Sequence, residues 1–359
     1  MRQGRIYVVA TADGGHAELT LDPQLQEATE EVLRTFQIPY AGAVVLSVPD
    51  GRVLALVGRS AVDGNLGPAD LALRPWAPAA SVFKVVSAAA LVSEGGLTGQ
   101  SQTCYHGGVS AVLADNLIDL PRIDRRCDTL AYGLGKSQNA ILAKLARRHL
   151  TADQLARVGH AFGFGSAIPF DLPLEPSHLD VPTEDLEFAR AAAGFWHSTL
   201  SPLHGALLAA AIANQGVMPA PTLVERAYDA EGVGRPVPIT RPRAVIDAAT
   251  AREVGRMMEL TTRIGTAKAT FRDRRGHRYL NVEVAGKTGT LSAETDKGFV
   301  GYSWFVGYAP VDRPRIAFAV ALGNHPTWRI KATYVARRIV ATYLAEKGDR
   351  AALRTLAAR

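Results

Sequence analysis

APAASVFKVVSAAA, residues 77–90, sets a serine, Ser81, at the head of an apolar helical run and a lysine, Lys84, one turn further along among valines and alanines. Residues three apart on a helix share a face, so the Ser81 hydroxyl and the Lys84 amine can meet where a helix begins near the serine. Taken alone, the serine also reads as a helix cap and the lysine as a snorkelling side chain. For the pair by itself that bland reading is the stronger one; the motifs described next reverse it in favour of a nucleophile and its base, provided the amine is held neutral, well below its ordinary pKa of about 10.4, by apolar surroundings and by a second lysine.

Two further patterns follow downstream. GKSQNA contains S-x-N, with Ser137 and Asn139, and AGKTGT contains K-T-G, with Lys287, Thr288, Gly289 and Thr290. Chance produces S-x-x-K or S-x-N roughly once in a chain of this length and K-T-G in roughly one chain in ten. Here the three occur in order, at a helix start, a loop before a helix and a strand, and that ordered set is far more specific than any member.

The flanking sequence supplies a frame for them. DPQLQEATEEVLRTFQ (22–37) reads as a helix, and GAVVLSV (42–48) with RVLALVG (52–58) as a hairpin turning on Pro49-Asp50-Gly51. From about 76 to 225 the pattern is helical and alanine-rich, after which strand patterns return. EVAGKTGT (283–290), YSWFVGYAP (302–310) and RIAFAVALG (315–323) read as strands, and WRIKATYVARRIVATYLAEK as a closing amphipathic helix. The expectation is an α+β fold: an antiparallel sheet flanked by helices, built from both ends of the chain, with an all-helical lobe at about 76–225 inserted. Residues 1–20 read as a tail or linker and 21–359 as one domain.

With these motifs the chain resembles the transpeptidase domain of penicillin-binding proteins, within the larger group that includes the β-lactamases. The likeness runs from about residue 20 to about 345. It includes LDPQLQ, GAVVLSVPDGRVLALVG, FGFGSAIPFDLPLEP, SPLHGALLAAAIANQGV and GTAKATF, stretches that favour penicillin-binding proteins over β-lactamases. Two departures bear on the shape of the cleft. Ala79-Ala80 stands where the family usually has Pro-Gly before the nucleophile, and Gly194-Phe195-Trp196-His197 where a Gly-Gln-Gly run is common.

The resemblance implies a D,D-transpeptidase that acts on peptidoglycan stem peptides and is inhibited by β-lactams. Ser81 would attack the carbonyl between two D-alanines, Lys84 serve as base, Ser137 relay the proton and Lys287 join that network. Asn139 would hold the substrate amide and orient Lys84, Thr288 and Thr290 bind the carboxylate, and Gly289 allow close approach of the strand. The backbone N–H groups of Ser81 and Thr290 would form the oxyanion hole. No cofactor and no metal are implied, and the family setting is the cell envelope, at the outer face of the cytoplasmic membrane or in the periplasm, with membrane-anchored cell-wall synthesis partners.

Rival readings remain at this stage: a D,D-carboxypeptidase, a serine β-lactamase using Glu175, or a sensor domain that binds β-lactam or peptidoglycan. The 40 basic against 34 acidic residues give +6, but the charge is scattered apart from Arg122–Arg126 and FRDRRGHR around Arg274. Without aromatic interleaving or zinc-finger spacing it does not suggest nucleic acid. GKT at 286–288 is not a P-loop, because Asn281 occupies the required glycine position. H-E-x-x-H and G-x-S-x-G are absent, although Cys104, His106, Asp115 and Cys127 form a conceivable zinc set. Cys104 and Cys127 alternatively form a disulfide. No run of about 18 apolar residues occurs, and MRQGRIYVVATADGG is too short in apolar residues for a secretory leader. The sequence leaves open a chain freed of its leader or anchor and a truly soluble one.

Overall fold

The computed structural model of the protein describes residues 2–4, 6–238, 240–295 and 298–348. Near the start, β1 (Ile6–Ala10) and β2 (His16–Leu19) precede α1 (Pro23–Thr35), whose N-cap Asp22 accepts from Gln24 N and Leu25 N. The hairpin forms as β3 (Tyr40–Ser47) and β4 (Val53–Ser60). Then come α2 (Lys84–Ser93), the short ladder β5 (Gln102–Tyr105) with β6 (Arg126–Thr129), and α3 (Leu130–Gly135). They are followed by α4 (Asn139–His149), α5 (Ala152–Ala161), α6 (Asp185–Ala192) and α7 (Pro202–Ala213). After β7 (Val224–Tyr228) and α8 (Ala248–Arg263) the chain makes a short α9 (Lys268–Phe271), three long strands β8 (Ala285–Thr295), β9 (Gly298–Ala309) and β10 (Ile316–Asn324), and closes with α10 (Ala332–Glu346).

The main sheet is antiparallel in the order β8-β9-β10-β3-β4, so the early hairpin pairs directly with the last strand. Strands β3, β9 and β10 read as near-continuous apolar runs because both of their faces are covered, whereas the edge strand β8 is polar and partly exposed beyond Gly289. Alternate side chains enter different cores: Val44, Leu46, Trp304 and Val306 face the helical lobe, while Ala43, Val45 and Phe305 face α1 and α10. Each large side chain buried in this way contributes about 1.5–3 kcal/mol. Helix α7 is buried along nearly its whole length and lies against β10 and β3. It is apolar on every side because it is enclosed between the sheet and the lobe.

Two expectations need correction. The tail at 1–20 is instead part of a small antiparallel sheet, in which β2 lies between β1 and β7. The helical lobe does not stop near 225, since α8 packs on α2, α3 and β8 and completes it. Asp247, whose carboxylate accepts from Ala249 N and Thr250 N, is the start signal of that helix.

Candidate active site

Ser81 lies in a single 3-10 turn, Ala80–Val82, that leads into α2, so the serine and Lys84 come onto one face at the helix entrance. Lys84 Nζ is 2.6 Å from Ser81 Oγ. Nζ also donates to Asn139 Oδ1 (2.7 Å) and to the Ala193 carbonyl (2.6 Å). A neutral amine has two N–H donors and one lone pair, so with the two carbonyl-type oxygens taking the donors, its lone pair is left for the Ser81 hydroxyl. Lys84 is fully buried, and that burial pulls its pKa from 10.5 down to about 7. The base form is therefore abundant at neutral pH, and acylation should accelerate as pH rises through this value.

The second pair stands beside the first. Lys287 Nζ, on β8, donates to Ser137 Oγ (2.8 Å) and to the Thr288 carbonyl (2.8 Å). It too is fully buried, and its pKa is held well below the ordinary lysine range by burial and then by the charge on Lys84. Two buried amines this strongly coupled do not both carry a proton readily. Ser137 has φ +56° in the tight link between α3 and α4. It does not cap α4: that position belongs to Gln138, whose side chain accepts from Ala140 N.

Asn139 is engaged at both ends, since its Nδ2 donates to the Val109 carbonyl (2.9 Å). One amide hydrogen remains for a ligand. Gly289 is crowded by the protein itself, because a Cβ there would stand 3.0 Å from Trp304 Cβ and 3.2 Å from Val82 Cγ2. The missing side chain thus seats β8 against the nucleophile turn. Trp304 Nε1 also donates to the Pro78 carbonyl (2.9 Å), tying β9 to the approach to Ser81.

Ser81, Ser137, Asn139, Thr288, Gly289 and Thr290 line one cleft of about 830 Å³. Lys84 and Lys287 sit buried beneath it. Trp196 joins the lining from the Gly194–His197 departure, and several lining residues were not singled out from sequence: Thr266, whose hydroxyl is 2.6 Å from that of Thr288, and the aromatic side chains of Phe299 and Trp328. Only Thr266 had a nearby signal, in GTAKATF.

Both departures from the family pattern fall on left-handed backbone. Ala80 has φ +49° and Trp196 φ +53°, conformations glycine adopts freely. Gly194 itself has φ +82°, and a Cβ there would come within 2.3 Å of the Ala80 carbonyl. The loop therefore presses on the nucleophile turn while presenting a half-exposed indole to the cleft. Trp196→Gly should relieve about 1–2 kcal/mol of strain and lose a similar amount through a freer unfolded chain. Its denaturant midpoint is expected to stay near that of the parent while acylation by penicillin slows severalfold; unchanged acylation would mean the indole does not touch the ligand.

Glu175 is remote from this chemistry. Its carboxylate accepts from Arg74 Nε (2.8 Å), and it lines a separate cavity of about 380 Å³ with Arg74, Trp76 and Tyr302. Cys104 and Cys127 are bonded to each other, directly opposite in the β5–β6 ladder. His106 Nδ1 pairs with Asp124, so the conceivable zinc set is not assembled. The loop between the cysteines is further held by buried Lys144, which donates to the Cys104 carbonyl (2.9 Å) and to Asp124 Oδ2 (2.7 Å).

The comparisons agree with this geometry. A family model described as penicillin binding protein transpeptidase domain matches residues 41–344. The peptidoglycan D,D-transpeptidase PbpA of Mycobacterium tuberculosis is 28% identical over 344 residues, which cover 87% of this chain and 68% of the relative. Stage V sporulation protein D of Bacillus subtilis is 25% identical over 333 residues, 87% of this chain and 50% of the relative. The crystal structure of the D,D-transpeptidase domain of a peptidoglycan glycosyltransferase from Eggerthella lenta superposes with a TM-score of 0.74 at 25% identity, covering 92% of this chain and 83% of that one. The penicillin G acyl-enzyme complex of penicillin-binding protein A from M. tuberculosis has the same fold, with a TM-score of 0.74 at 21% identity, covering 92% and 81%.

Proposed function

The chain belongs to the penicillin-binding protein transpeptidase family, and from that premise we propose a serine D,D-transpeptidase that acts on peptidoglycan stem peptides through an acyl-enzyme on Ser81 and is inhibited by β-lactams at the same serine. The observation that carries the reading is the 2.6 Å approach of Ser81 Oγ to a fully buried lysine amine whose other partners are both acceptors.

In the proposed reaction Ser81 Oγ attacks the carbonyl carbon between two D-alanines while its proton passes to Lys84. The C–O bond forms, the C–N bond breaks, and the departing amine gains a proton through Ser137, which Lys287 orients. Thr288 and Thr290 take the terminal carboxylate, and Asn139 offers its remaining amide hydrogen to the peptide. The backbone N–H groups of Ser81 and Thr290 receive the oxyanion. Because β8 is the edge of the sheet, its outer side is open to an extended peptide as an added strand. An acceptor amine then resolves the ester.

This chemistry suits the cell envelope, at the outer face of the cytoplasmic membrane or in the periplasm, alongside membrane-anchored cell-wall synthesis partners. The Cys104–Cys127 bridge suits an oxidising compartment. Among the described residues no helix is long and apolar enough to cross a membrane. The test is incubation with a synthetic stem pentapeptide, with and without an acceptor amine, followed by product mass analysis. Cross-linked product supports transpeptidation; release of D-alanine alone supports carboxypeptidation instead.

The β-lactamase reading needs a carboxylate that activates water against the ester, and Glu175 is held elsewhere by Arg74. The Ser81 penicillin adduct is therefore expected to persist for many minutes, with the same lifetime in Glu175→Gln, as followed by intact mass after removal of free drug. Turnover at several per second in the parent that collapses in the variant would reverse the assignment.

A further inference from the structure

Beyond the reacting groups, the cleft has a one-sided charge. Among the described residues its lining includes Lys136, from the link between α3 and α4, and Lys331, from the turn leading into α10, but no aspartate, glutamate or histidine. Both lysines are exposed, and among the described residues neither is joined to a carboxylate. Lys136 stands over the Tyr132 ring, 6.0 Å from its centre. Among the described residues Lys331 has no such ring partner.

The route from Ser81 toward Lys331 is built by the period of β8. Thr288, Thr290 and Ser292 alternate with Lys287, Gly289 and Leu291, so their side chains share the face of the sheet that carries α10, stepping about 6.6 Å each time. On that face Thr290 pairs with Ser303 and Ser292 with Gly301 of β9. Trp328 packs over Gly301, where an added Cβ would stand 2.8 Å from its Nε1, and Phe299 is the next aromatic along the strand. The next carboxylate on the same face, Glu294, lies outside the cleft lining. The hydroxyl groups of Thr288, Thr290 and Ser292 therefore line the same cleft as a cation that has no carboxylate partner among the described residues, together with the rings of Trp328 and Phe299, apolar surfaces that strengthen an ion pair by excluding water.

We infer that this arm of the cleft is a second anion subsite, in which Lys331 selects stem peptides carrying a free side-chain carboxylate over the same peptides with that group amidated. The inference rests on the stem-peptide reading above. It adds a carboxylate at a distance from the terminal one, which Thr288 and Thr290 hold.

The experiment measures how two synthetic stem pentapeptides, identical except for a free or amidated side-chain carboxylate, slow acylation of the protein by benzylpenicillin. The free acid should have an inhibition constant about fivefold lower, with the difference shrinking in high salt. Lys331→Gln should bring the two constants together, Lys331→Arg should retain the difference, and benzylpenicillin alone should acylate all three proteins at similar rates. Lys136→Gln should leave the preference in place. Equal constants in the parent, or a preference that survives Lys331→Gln, would overturn the inference alone. If neither peptide competes while penicillin still acylates Ser81, the stem-peptide reading falls and the subsite with it.

Discussion

Ser81→Ala should yield no covalent penicillin adduct while its thermal midpoint stays within a few degrees of the parent. The hydroxyl is the one acyl acceptor proposed, and it lies 2.6 Å from the buried Lys84 amine. The structural cost is small. Removing a hydroxyl at a helix entrance costs about 1 kcal/mol, a minor shift in a protein of this size. Intact-mass spectrometry after exposure to penicillin, with a thermal melt on the same sample, checks both halves. An adduct at normal stoichiometry on the alanine variant would move the nucleophile elsewhere.

Lys84→Met should slow acylation roughly 10²–10⁴-fold, the usual contribution of a positioned base. It should also alter stability in a way that depends on pH. The folded parent holds this amine at about 7 instead of 10.5, so relative to the unfolded chain it loses about 5 kcal/mol as pH falls from 10.5 to 7, and little more below that. Methionine does not titrate, but it leaves the Asn139 and Ala193 oxygens without a donor, at about 1–3 kcal/mol each. Near pH 10 the variant should be the less stable protein by a few kcal/mol; near pH 7 the two should converge. Urea midpoints at both values test this. Parallel pH dependence in parent and variant would show that Lys84 does not titrate in that window.

The residues that the fold brings together in the cleft were legible in sequence because each occupies a short pattern at a recognisable element. Ser81 with Lys84 marks a helix entrance, Ser137 with Asn139 a link between helices, and Lys287 to Thr290 an edge strand. The long strands were legible as well, from their apolar runs, whereas the burial of both faces of β3, β9 and β10 is seen only in the folded chain. The cleft walls were not. Phe299, Trp328 and Lys331 come from segments that meet only in the folded chain, and none stands in a pattern that separates a ligand wall from an ordinary surface residue; Trp196 alone was marked, by the departure at 194–197. Helix α8 was lost for a different reason. Beyond about 225 the pattern is read as strands, and the Asp247 cap follows a segment broken by Gly232, Pro236, Pro238 and Pro242, which hides a helix start.

The pairing of β3 with β10 also sets an order of assembly. Residues 40–47 find their neighbours in 316–324, so about 270 intervening residues must be made before the inner side of the first hairpin is covered. At synthesis rates of about 5–20 residues per second, that side of an almost wholly apolar strand waits on the order of tens of seconds. An uncovered strand of this kind readily pairs with a neighbouring chain. The sheet that carries the K-T-G motif thus closes only once residues 316–324 have been made, and until then the growing polypeptide has an adhesive hairpin and no assembled catalytic centre.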